Sequence, residues 1–264
     1  MIYFILNLLF AHVFLISFDR LNDETSAMLS FVESVCIALY VFNSYIRLKK
    51  APHLCLLTAS VLFSLGYLVI VINHGEYDLP CFADTFFFLD QLAFVMVAYT
   101  YLYVYKKIPI YTLVTYTIPA LVISVLVLFK FFVTPHRYLI SDATLDGWLF
   151  IGYVIFDMLG IFMLMVFLVM QTRMEFMLYL CFCASFIVDA FDCYQSLSTH
   201  FSTYISDVSG NTITLLFVFA LAADDKKCLY PMLNDFMMKA RFLIPFACVI
   251  ILLSMEHTFS PGLH

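Results

Sequence analysis

Charge interrupts this chain so seldom that it reads as a run of apolar stretches separated by short polar punctuation. A stretch needs about 17–25 residues to cross a bilayer as a helix. Nine meet or approach that length, near 1–18, 28–46, 54–73, 86–105, 109–133, 147–171, 175–193, 208–223 and 242–256. Backbone in hydrocarbon must satisfy its own N–H and C=O groups, which segments of this kind do as helices. The expected fold is all-α: a single polytopic transmembrane helix bundle of about nine helices filling 1–264. Composition agrees, since 64% of the residues are hydrophobic and 12% charged, against roughly 45–50% and about 25% in soluble domains. The first stretch has no basic leader and runs into Asp19 and Arg20 rather than a small-residue cleavage site, so it is read as a helix of the mature protein.

Lys and Arg in short loops resist translocation, and their placement here is lopsided. Arg47, Lys49 and Lys50; Lys106 and Lys107; Arg173; and Lys226, Lys227, Lys239 and Arg241 fall in one alternate set of loops. The other set keeps Arg20 and Arg137, with Lys130 just inside a helix end. This split puts the N-terminus in the cytoplasm and, with an odd number of crossings, the C-terminus outside. The formal charge of −6 says less than that distribution does. No basic stretch with interleaved aromatics and no glycine-rich phosphate loop occurs, which removes nucleic acid and nucleotides as partners.

Most of the eight cysteines, among them Cys36, Cys55, Cys181 and Cys183, lie within or beside apolar segments, where a thiol acts as a small hydrophobe. Cys81 and Cys193 fall near outer helix ends; spacing alone does not bring them within bonding distance, so reduced thiols are expected. His74, His136, His200, His257 and His264 map to the outer side with Glu76, Asp78, Asp84, Asp142, Asp207 and Glu256. Imidazole and carboxylate suit a metal or a response to acidity, yet no pair has the spacing of HxxxH or HExxH, and neither metal nor cofactor is expected. The stretches 63–107 and 184–227 share punctuation: apolar helix, outer loop with histidine and aspartate, second helix, basic pair. Two matching helical hairpins are expected, either by duplication or because basic residues end every cytoplasmic boundary.

An ionisable group inside a bilayer costs several kcal/mol unless it faces a cavity or a partner. Glu33, Asp90, Asp157 and Asp189 lie within apolar blocks, with Gln91 beside Asp90 and Asp192 one turn beyond Asp189, on the same helix face. Asp90, Gln91, Asp157, Asp189 and Asp192 are therefore the candidate ligand-binding residues. Either the acids converge in a polar interior that binds a ligand or moves a proton, or they hydrogen-bond neighbouring helices and fix packing. No Arg lies among them, so a proton on one carboxyl would stand in for the missing ion-pair partner. Ser64 precedes Gly66, and Ser185 lies four residues before Asp189, but no GxSxG elbow or ordered Ser/His/Asp set is visible; a serine in a membrane helix usually bonds its own backbone. Pro109, Pro119 and Pro245 are expected to begin or kink helices.

Particular runs carry a resemblance. Phe63-Ser-Leu-Gly-Tyr-Leu-Val69, then Leu79-Pro-Cys-Phe-Ala-Asp84, resembles the membrane regions that precede GGDEF, EAL or histidine-kinase output domains in bacterial signalling proteins. Gly152-Tyr-Val-Ile-Phe-Asp157, Ala184-Ser-Phe-Ile-Val-Asp189-Ala-Phe-Asp192-Cys-Tyr194, and Arg241-Phe-Leu-Ile-Pro245 are similar to later helices of those regions. The resemblance implies a sensory membrane module of a multi-pass protein in a bacterial inner membrane. Its partners would be the lipid bilayer and either a cytoplasmic signalling protein or another membrane chain. No output-domain signature follows in this sequence, which ends at Ser260-Pro-Gly-Leu-His264. A second resemblance, to lysoplasmalogenase-like membrane hydrolases, rests on Phe63-Ser-Leu-Gly66 and Phe186-Ile-Val-Asp189. Tyr67 and Val188 stand where that pattern has an aspartate and a serine, which leaves general acid–base hydrolysis short of a partner. A sensory or ligand-binding module is the first expectation, a lipid hydrolase the alternative, and a transporter or assembly partner a third.

Overall fold

The computed structural model describes residues 1–17, 22–74, 82–129, 145–167, 172–197 and 203–222. They form eight helices: α1 (Ile2–Ser17), α2 (Asp23–Leu48), α3 (Ala51–Ile72), α4 (Phe82–Tyr105), α5 (Ile110–Leu128), α6 (Leu145–Phe167), α7 (Arg173–Leu197) and α8 (Thr203–Ala222). Each coincides with one of the first eight apolar stretches; the ninth, 242–256, lies outside the described residues. Five helices, α2 to α5 and the 174–191 portion of α7, are long and apolar enough to cross a membrane. The apolar parts of α1, α6 and α8 are shorter.

Local chemistry sets the ends. The Asn22 side chain accepts from the Thr25 N–H at 2.9 Å, and Asp23 and Glu24 in the first turn of α2 complement its positive end. Lys49 stops α2 at φ 47°, its N–H bonded to the Tyr45 carbonyl at 2.7 Å. His74 and Lys107 also take positive φ just past α3 and α4, the position glycine usually fills. Pro52 lies in the first turn of α3, Pro109 caps α5, and Pro119 is carried inside α5.

The helices close on themselves. α2 packs on α3, α3 on α4, α4 on α6, α6 on α7, α7 on α8, and α8 back on α2, a ring of six. α1 lies outside it against α2 and α8, and α5 outside it against α6. Both outer helices turn bulky apolar side chains away from the protein: Tyr3 and Phe10 of α1 are 80% and 71% exposed, Ile118 of α5 66%. That is the face a lipid-facing helix presents, because lipid tails solvate it as well as protein would. Inside the ring, aromatic side chains fill the space. Phe94 stacks on Phe217 at 4.7 Å between centroids, and Phe182 meets Phe217 edge-on at 5.0 Å. Gly160 lets α6 close on the Phe182 ring, and Gly66 lets α3 close on Phe87.

The stretches 63–107 and 184–222 each fold as adjacent helical hairpins, α3–α4 and α7–α8; 223–227 lies outside the described residues. Hydroxyls largely turn back on their own helices. Ser60, Ser64, Thr117, Ser124 and Thr212 each donate to the carbonyl four residues earlier at 2.8 Å. Ser64 is thus a self-satisfied helix serine.

Candidate functional site

Four side chains and a hydroxyl from three helices form the site. Successive residues on a helix point about 100° apart, and α4 uses this to aim Asp90 and Gln91 at different neighbours. Asp90, 2% exposed, lies within electrostatic reach of Asp157 on α6, itself 1% exposed. Gln91 Nε2 donates to Asp189 Oδ2 on α7 at 2.8 Å. Ser185 and Asp189 share one face of α7 at i, i+4, and both hydrogen-bond the Asp157 carboxyl.

Three of the sequence candidates, Asp90, Asp157 and Asp189, thus come together, with Gln91 bonded to Asp189. The Asp192 side chain lies outside the described residues. Acceptors exceed donors: Asp90 Oδ1, Asp157 Oδ2 and Gln91 Oε1 are buried without a hydrogen-bond partner. Among the described residues no salt bridge reaches Asp90 or Asp157, and no three His, Cys, Asp or Glu side chains are placed to hold a metal ion.

A second polar centre joins α1, α2 and α8. Glu33, fully buried, is flanked by His12 and Asn211, both fully buried as well. His12 Nδ1 is 3.1 Å from Glu33 Oε1 and its Nε2 3.2 Å from Ser26 Oγ. Asn211 Nδ2 donates to Glu33 Oε2 at 2.9 Å and to the Ser30 carbonyl at 3.3 Å. Sequence reasoning marked Glu33 but missed both partners. His12 is a lone histidine in an apolar stretch, and Asn211 carries no charge to betray it.

A third polar contact was also unmarked. Lys106, just past α4, pairs with the buried Glu175 in the first turn of α7. Nearby, the Lys50 ammonium sits 4.5 Å from the Tyr105 ring centroid, so the α2–α3 turn and the end of α4 occupy the same end of the bundle. At the opposite end His74 and Glu24, both exposed, approach to 3.6 Å. Along α4 and the antiparallel α7, Gln91–Asp189 and Lys106–Glu175 are separated by 15 and 14 residues, about 21–23 Å at 1.5 Å per residue. Two polar contacts therefore tie α4 to α7 at two depths.

Cys36, Cys55, Cys181 and Cys183 are free thiols. Cys81, the Cys193 side chain, and His136, His200, His257 and His264 lie outside the described residues. No family model, curated protein or solved structure matches the chain. Fold and site together define a multi-pass helical membrane protein with a buried acid cluster.

Proposed function

We propose that this protein is a membrane-embedded sensory or ligand-binding module of a signalling system. In this reading the chain crosses a bacterial inner membrane nine times, N-terminus in the cytoplasm and C-terminus outside. A cytoplasmic signalling protein or another membrane chain receives its output, as the likeness to the membrane regions of GGDEF, EAL and histidine-kinase proteins implies. One observation carries the proposal: Asp90, Asp157 and Asp189 gather around Gln91 with three buried oxygens, Asp90 Oδ1, Asp157 Oδ2 and Gln91 Oε1, without a hydrogen-bond partner. Buried acceptors without partners cost about 1–3 kcal/mol each. A small cation with N–H donors, such as a primary alkylammonium, complements them in charge and in hydrogen bonding. Such a ligand would compete with Gln91 for Asp189 and loosen the upper α4–α7 contact, so that the change reaches Lys106–Glu175 through two stiff helices.

The test is thermal unfolding of the purified protein in detergent with propylammonium, and with tetramethylammonium as a cation lacking N–H. Propylammonium should raise the unfolding midpoint saturably, by about 2.7 kcal/mol of stabilisation at a hundredfold excess over Kd; tetramethylammonium should not. Asp90→Asn and Asp157→Asn should each abolish the rise. An unchanged midpoint, or a rise that survives both substitutions, would rule the reading out.

A second reading, the lysoplasmalogenase-like hydrolase, draws on the same cluster, because Asp157 provides the acid partner for Asp189 that Tyr67 does not. Release of aldehyde from a vinyl-ether lipid, abolished by Asp189→Asn, would favour it.

A further inference from the structure

The polar centre at α1, α2 and α8 has an order and a polarity that packing alone does not require. Glu33 Oε1 lies at His12 Nδ1 and Ser26 Oγ at His12 Nε2, at 3.1 and 3.2 Å. With a carboxylate at Nδ1, that nitrogen carries the ring hydrogen and donates it; Nε2 is left as an acceptor facing the serine hydroxyl. Acid, imidazole and hydroxyl therefore stand in the sequence of a hydrolytic triad, which is recognised by geometry and roles and not by chain order. We propose that Ser26, His12 and Glu33 form a serine-esterase centre for acyl esters of membrane lipids, separate from the acid cluster.

Surroundings fit that substrate class. Ser26, 1% exposed, is the fourth residue of α2 and lies directly beneath the exposed residues 22–25, at the end of a membrane-crossing helix where lipid ester groups sit. Phe10, Val13 and Phe14 of α1 and Met28 and Val32 of α2, on the two helices that carry His12 and Ser26, expose apolar side chains, a surface along which an acyl chain can lie. The first N–H groups of a helix have no acceptor within it. Asn22 takes that of Thr25. Ser30 Oγ, one turn along α2, is buried without a partner and can donate to an oxygen of the ester.

The reaction balances with water as the only co-reactant. Ser26 Oγ bonds to the ester carbonyl carbon as its proton passes to His12 Nε2. The tetrahedral intermediate collapses, the carbon–alkoxy bond breaks, and His12 returns the proton to the leaving alcohol. Water then attacks the acyl-Ser26 carbonyl and gives a proton to His12; the bond to Ser26 Oγ breaks, Ser26 regains the proton, and the fatty acid leaves. Ser26 and His12 are the catalytic residues. Glu33 is a positioning residue, and Asn211 positions Glu33.

Two readouts test this on the full-length protein in detergent micelles: covalent labelling by an alkyl fluorophosphonate, located by peptide mass spectrometry, and hydrolysis of p-nitrophenyl decanoate. A single adduct on Ser26 is expected, with turnover that Ser26→Ala abolishes and Ser34→Ala leaves unchanged. His12→Gln should slow labelling by at least about 100-fold. Glu33→Gln should slow it about 1,000-fold or more and change the pH profile of labelling, a readout that a purely structural contact would not move. Should His12→Gln fail to fold, Glu33→Gln, which keeps shape and hydrogen-bonding capacity, decides the matter. No adduct on Ser26, or labelling whose rate and pH profile are indifferent to Glu33→Gln, would overturn the proposal.

Discussion

Gly66 shows what a single residue does in this bundle. A Cβ there would lie 2.5 Å from Phe87 Cε1, and moving that ring would disturb its edge-on packing against Phe63 and Tyr67, with centroids 5.6 and 5.5 Å away. Gly66→Ala should therefore destabilise the protein by about 1–3 kcal/mol, the range for overpacking a filled site, read as a lower unfolding midpoint in detergent. Phe87→Ala in the same chain should recover part of that loss. Gly66 drew attention as part of the Phe63–Val69 run, and its visible role is close packing of α3 on α4. The acids were legible because a charge within an apolar block is conspicuous. Their partners were not: Gln91 meets Asp189 across 98 residues and Asn211 meets Glu33 across 178, separations that no local pattern encodes. Asn211→Leu should leave Glu33 short of a buried donor and cost about 1–3 kcal/mol, checked by the same melt.

At the scale of elements, the helices were legible and their arrangement was not. Stretches apolar on every side announce a membrane-crossing helix but mark no single face for a neighbour, so the ring order of α2, α3, α4, α6, α7 and α8 could not be read in advance. The third polar contact shows why order matters. Glu175 is buried completely while Lys106 keeps about a quarter of its surface exposed. Lys106→Met would leave the Glu175 charge buried without its cation, which should cost about 3–5 kcal/mol. Adding Glu175→Gln removes the stranded charge, so the double variant should be more stable than Lys106→Met alone. Additive losses across that double-mutant cycle would show that the pair does not couple α4 to α7.

Across the whole molecule, the order of neighbours repeats. α1 packs on α2 as α5 packs on α6, and α8 meets α2 as α4 meets α6. Glu33 with Asn211 bridges α2 and α8, and Asp157 of α6 faces Asp90 of α4. Orientation has its own check. In a cysteine-free background, Lys50→Cys and Lys107→Cys should resist a membrane-impermeant maleimide in intact cells and react after permeabilisation, while His74→Cys reacts in both. The central claim, that the acid cluster is a ligand site coupled through α4 and α7 to the basic end of the bundle, is tested most directly by a distance. Spin labels at Lys107→Cys and Met177→Cys in that background should report a changed distance distribution when propylammonium is added, and no change when Asp157→Asn is also present. Identical distributions with and without the cation would contradict it.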